Sequence, residues 1–146
     1  MNTTPETVRR SPRREATRQR LLDGMVARRT PNPVALSGDV HVALAATIRQ
    51  RPEDPGSAPV AVEFTATSAT SEGDGAEMTP GGEETLRRNP DMALYHGRRG
   101  YCVTEATAAR MTTDYVALPF VTREGAPRQA VATLVVEAGR AAIQSG

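Results

Sequence analysis

The first hydrophobic positions recur with a helical period. Leu21, Leu22, Met25 and Val26 share one face of a segment otherwise rich in Arg, which predicts a helix over residues 13–29. Pro31 and Pro33 end it. Asn32-Pro33-Val34-Ala35-Leu36-Ser37 is apolar on both faces, the pattern of a short strand covered on both sides. Residues 42–50 fit neither period: their alanines and Leu44 suit a helix, but the run is barely long enough. Residues 51–58 are a turn-rich loop. Val60, Val62 and Phe64 alternate with Ala61 and Glu63, so 59–68 reads as a strand. A long Gly/Glu/Ser loop follows over 71–84, a length that marks function or mobility. Residues 83–89 suit a short helix.

The last third alternates as strands do. Strands are predicted over 92–95, 101–106, 110–118 and 130–137, with turns at 97–100 and 124–127. The fold class is α/β: part of a mixed-sheet layer, one or two flanking helices and a C-terminal antiparallel meander.

Composition narrows the picture modestly. The chain has 146 residues, the length of one domain. With two Phe, three Tyr and no Trp, its core must come mostly from Val, Leu, Ile and Ala. All 18 basic residues are Arg, which reads as coding bias rather than a site. Residues 1–30 carry eight Arg against Glu6, Glu15 and Asp23. We expect a disordered basic tail over 1–15 and a domain over 16–146. The arginines lack aromatic interleaving and a recognisable motif, so no nucleic-acid partner is expected. No run approaches the roughly 20 apolar residues of a membrane span. The paired arginines Arg9-Arg10 and Arg13-Arg14 are followed by polar residues rather than an apolar stretch, so no export signal is read and the chain is expected in the cytoplasm. Cys102 is the single cysteine and reads as a core residue.

The sharpest chemical signal is Gly38-Asp39-Val40-His41 at the end of the first apolar strand. Carboxylate and imidazole are both ligands for divalent or ferric ions. At i and i+2 on extended backbone, Asp39 and His41 would project to one side. Gly38 would supply the tight turn, and strand C-termini are where ligand sites gather in α/β sheets. Taken alone, the pair better suits a capping carboxylate and an ordinary polar histidine, since a catalytic metal usually needs three or more protein ligands. His96 reads as a solvated turn histidine, Arg98 and Arg99 as a structural turn pair, and Glu72, Asp74 and Glu77 as a solvated acidic loop. No Ser/His/Asp arrangement stands out, and no catalytic residue is assigned.

The neighbourhood favours the ligand reading. Asn32 to His41 resembles the closing metal motif of the PhoD-like alkaline phosphatase/phosphodiesterase family. Glu63-Phe64, Thr67-Ser68, Gly73-Asp74-Gly75, Asn89-Pro90 and Gly97-Arg98-Arg99-Gly100-Tyr101 follow in the family's order. Val121-Thr122-Arg123, Gly125-Ala126-Pro127 and Val135-Val136-Glu137 with Gly139-Arg140 resemble its last hairpin. Arg18 to Asp23 is similar to the helix before the metal strand. Departures include Val42 in place of a small polar residue, Asp91 where a His is common, and Cys102 at a usually aliphatic position.

The resemblance covers about residues 16–140 and implies the C-terminal part of a four-layer αββα metallophosphoesterase sandwich. It implies hydrolysis of phosphate mono- and diesters at a centre of iron and calcium type, with Asp39 and His41 as metal ligands. Family members are far longer, and their other ligands lie upstream. We therefore expect an incomplete protein, with apolar residues among Val34, Leu36, Val60, Val62 and Phe64 left exposed. Self-association, or complementation by the missing N-terminal part, would follow. The alternative is a non-catalytic remnant or a small interaction module without metal.

Overall fold

The computed structural model describes residues 12–146. The first eleven residues of the expected tail lie outside the described residues, and 12–15 are helical. Helix α1 runs Pro12–Ala27. It ends because Arg29 turns left-handed (φ 50°), letting its N–H reach the Val26 carbonyl and that of Thr30 the Met25 carbonyl. Only Leu22 on its apolar face is fully buried, while Leu21 and Val26 stay exposed. The helix is anchored instead by polar contacts: the Asp23 carboxylate accepts from Gln19 and Gln50, and Gln19 also donates to the Gln50 carbonyl.

Two four-stranded sheets follow. The first contains β1 (Val34–Ser37), β2 (Ala43–Arg49), β3 (Pro59–Thr65) and β4 (Met92–His96), in the order β1-β3-β2-β4. β1 is parallel to β3, and the other pairs are antiparallel. Helix α2 (Gly82–Arg88) precedes β4. The second sheet is a plain antiparallel meander of β5 (Gly100–Ala106), β6 (Arg110–Ala117), β7 (Gln129–Glu137) and β8 (Gln144–Ser145). The expected meander is present, but residues 97–99 do not turn a hairpin within it. They carry the chain from one sheet to the other. Gly100 is obligatory there, since a Cβ would collide with the Val116 carbonyl. The ambiguous 42–50 segment is β2, fixed by hydrogen bonding to a neighbour on each side.

The core lies between the sheets. Ala43, Ala45, Val62 and Phe64 from the first meet Tyr115, Leu134 and Val136 from the second. The alanines of β2 make room for the Tyr115 ring, whose hydroxyl donates to the Leu44 carbonyl at 2.6 Å. Burial holds the Tyr115 phenol well above its ordinary pKa. α1 covers part of the first sheet's other face. A cleft of about 670 Å³ between them is lined by Arg14, Arg18, Ala46, Ile48 and Glu63.

β1 is not the doubly covered strand its composition suggests. It sits at the edge of its sheet, paired only to β3, and Leu36 is 64% exposed. The expected open patch is accordingly smaller. Val62 and Phe64 are buried by the second sheet and leave the patch.

Candidate metal site

β1 and β2 run in opposite directions with β3 between them, so the five residues 38–42 must carry the chain past a strand. Two left-handed residues do this: Asp39 at φ 76° and His41 at φ 55°. That conformation costs a non-glycine residue roughly 1–2 kcal/mol, somewhat less for Asp. The expected extended backbone is therefore absent. The turn does not depend on Gly38 either, where a Cβ would meet only the Ala66 carbonyl oxygen at an ordinary 3.9 Å. The loop does stand at the C-terminal end of a strand, as expected.

Asp39 is exposed in this loop, whereas His41 is half-buried. The His41 Nδ1 lies 3.3 Å from Glu72 Oε2, and its carbonyl accepts from Thr67 Oγ1 at 3.1 Å and Arg99 Nη1 at 2.8 Å. A carboxylate at Nδ1 leaves Nε2 as the nitrogen free to bind a metal, the usual arrangement for a ligating histidine. Glu72 is a solvated loop residue, as expected, with its side chain 73% exposed. Thirty-one positions from His41, it carries no sequence signal beyond its place in the glycine-rich loop. A groove of about 190 Å³ lined by Ser37, Gly38, Val40 and Thr65 adjoins the loop.

The long loop after β3 is largely exposed, as expected, but it is tied down at Asp74. Asp74 accepts from the Val121 and Thr122 N–H groups at 2.6 and 3.0 Å and from the Thr122 hydroxyl at 3.2 Å. These bonds, the Val121 N–H first, hold its pKa below the ordinary carboxylate value. Asp74 is thus committed to structure rather than to a cation. Asp91 grips Arg49 Nε through both oxygens, at 2.9 and 2.8 Å.

His96 corrects another expectation. It closes β4 opposite Ala43 and is only 8% exposed. Burial lowers its pKa, Glu77 partly opposes that, and Arg98 adds to it. Arg98 donates to the Pro119 carbonyl at 2.9 Å, and Arg99 is buried, so this pair is structural, as expected. Cys102 packs partly against the core, and burial pushes its thiol up to about 11. Among the described residues, no three His, Cys, Asp or Glu side chains converge as a cation site. No described helix is long and apolar enough to cross a membrane.

The chain is thus a mixed α/β frame of two packed sheets with an Asp-x-His loop at a strand end. It belongs to the PhoD-like phosphatase family, whose sequence model matches residues 10–115, from ahead of α1 into β6. Alkaline phosphatase D of Bacillus subtilis (strain 168) is 32% identical over 122 residues, 84% of this chain and 21% of that protein. A solved structure described as the structure of PhoD matches with a TM-score of 0.85 at 30% identity, over 90% of this chain and 25% of that one. The chain thus spans between a fifth and a quarter of the length of these relatives.

Proposed function

We propose that the chain supplies one wall of the metal centre of a phosphoesterase that hydrolyses phosphate mono- or diesters, with Asp39 and His41 as two of its metal ligands. The observation that carries this reading is the His41–Glu72 contact at 3.3 Å, beside Asp39 in one strand-end loop. A ligating imidazole needs its far nitrogen held by an acceptor, and Glu72 provides one.

The donor types fit the centre that the family resemblance implies. A carboxylate suits a hard cation such as calcium or ferric iron, and an imidazole suits iron. Two donors are fewer than a catalytic centre needs, so the remaining ligands come from outside the described residues. When bound, the metals supply charge neutralisation at the phosphoryl oxygens and a more acidic water. Asp39 and His41 bind and orient, and the Glu72 carboxylate faces Nδ1. In this reading α1 and the two sheets are three layers of a four-layer αββα sandwich spanning 16–146, and the outer face of the second sheet receives the fourth.

The test is a chimera joining the upstream part of the Bacillus subtilis relative to this chain. It should hydrolyse a generic phosphate ester with added iron and calcium, and Asp39→Ala or His41→Ala should reduce turnover by orders of magnitude. Undiminished turnover in both variants would overturn the ligand assignment.

A further inference from the structure

Arg99 is 3% exposed and belongs to the three-residue passage between the sheets. No carboxylate pairs with it among the described residues, and its Nε is buried without a hydrogen-bond partner. A buried guanidinium so poorly compensated is costly. What it does make is specific. Nη1 donates to the His41 carbonyl and to Ser68 Oγ, both at 2.8 Å, and Nη2 donates to the Gly97 carbonyl at 3.0 Å. Three segments distant in sequence are thereby joined at one side chain: the 38–42 loop, the start of the long loop, and the passage itself.

Room has been made for it. Gly75 approaches the guanidinium so closely that a Cβ there would lie 2.7 Å from Nη2. The left-handed φ of Gly75, 69°, suits glycine as well. The His41 carbonyl receives a second donor, the Thr67 hydroxyl. Both bonds fall on the one peptide oxygen whose direction is set by the left-handed conformation of His41. That conformation is unfavourable by itself, so it persists where surrounding contacts over-determine it.

We propose that Arg99, with Thr67, forms a clamp on the His41 carbonyl that holds the left-handed conformation of Asp39 and His41, making Arg99 a positioning residue for the site. Its relevance to metal binding rests on the ligand reading above; its effect on the backbone does not. Lysine cannot replace it, because one ammonium cannot span three acceptors that a planar guanidinium reaches together.

Heteronuclear NMR on the full chain tests this, with Mn²⁺ as the cation probe. Asp39 and His41 should show the strong intraresidue HN–Hα contact of a left-handed backbone in the native protein. Arg99→Ala and Arg99→Lys should weaken it while strand amide shifts stay native, and added guanidinium should restore it in Arg99→Ala. An unchanged signature in either folded variant overturns the clamp. If both variants unfold, Thr67→Val decides: weakening at His41 supports the clamp and an unchanged signal overturns it. Mn²⁺ separates the two readings. Broadening at Asp39 and His41 that needs about ten-fold more metal in Arg99→Lys supports clamp and ligands together. An Arg99-dependent backbone signature without Mn²⁺ broadening supports the clamp and removes the ligand assignment.

Discussion

The rings of Phe64 and Tyr115 meet edge to face across the two sheets, with centroids 6.4 Å apart and planes inclined at 61°. In a core with few large residues, this pair is the main aromatic contact between the layers. Tyr115 also donates to the Leu44 carbonyl of the facing sheet. Tyr115→Phe should cost about 1 kcal/mol by removing that hydrogen bond. Tyr115→Ala should cost about 3–5 kcal/mol through the cavity it leaves. Thermal or urea melts check both. Equal stability of Tyr115→Phe and the native chain would show that the hydroxyl bond contributes nothing.

His96 gives the fold a pH dependence with a definite sign. Burial depresses its pKa in the folded chain, so the unfolded chain binds the proton first. Its contribution is fully present above the ordinary histidine value of about 6.5 and declines as pH falls from there toward the depressed folded value. His96→Gln should flatten this part of the stability–pH curve. Asp74 adds a second, lower window: its depressed pKa contributes stability that is lost as pH falls through the folded value, below the ordinary carboxylate range. Asp74→Ala should remove that acid arm and loosen the 71–80 loop to proteolysis.

The chain by itself should show phosphatase turnover near the uncatalysed rate, even with iron and calcium supplied, because two ligands do not hold a catalytic centre. Clear metal-dependent turnover abolished by Asp39→Ala would make it an enzyme without further chain.

Leu36 at 64% and Val40 at 56% exposure stand beside the unpaired edge of β1. Such an edge is a template for another strand. Sedimentation should show concentration-dependent self-association that Leu36→Asp reduces. A monomer at high concentration with a sharp melt would show that the edge is inert.

Elements with a strong period were legible from sequence. Val60, Val62 and Phe64 alternate as they do in β3, and the meander strands begin and end close to their predicted limits. β2 was not legible, because Ala43, Ala45 and Ala46 have no strand preference and are held extended by pairing on both sides. Leu36 misled, since its apolar character says nothing about which neighbour covers it. The placement of Asp39 and His41 at a strand end was legible, but their left-handed turn was not. It arises from the need to pass β3, a fact of topology. The contacts of Glu72, His96 and Arg99 reach across tens of residues, which no local pattern records.

The Asn32 side chain accepts the Gly139 N–H at 2.6 Å, fastening the entry to β1 onto the residues just beyond β7. Closing a flexible loop of 107 residues costs roughly 4 kcal/mol of chain entropy. One exposed hydrogen bond cannot nucleate such a closure, so this bond should form late in folding, after the sheets have docked. Asn32→Ala should accordingly leave the folding rate nearly unchanged and speed unfolding. The native state's lifetime, rather than its rate of formation, is what this contact governs.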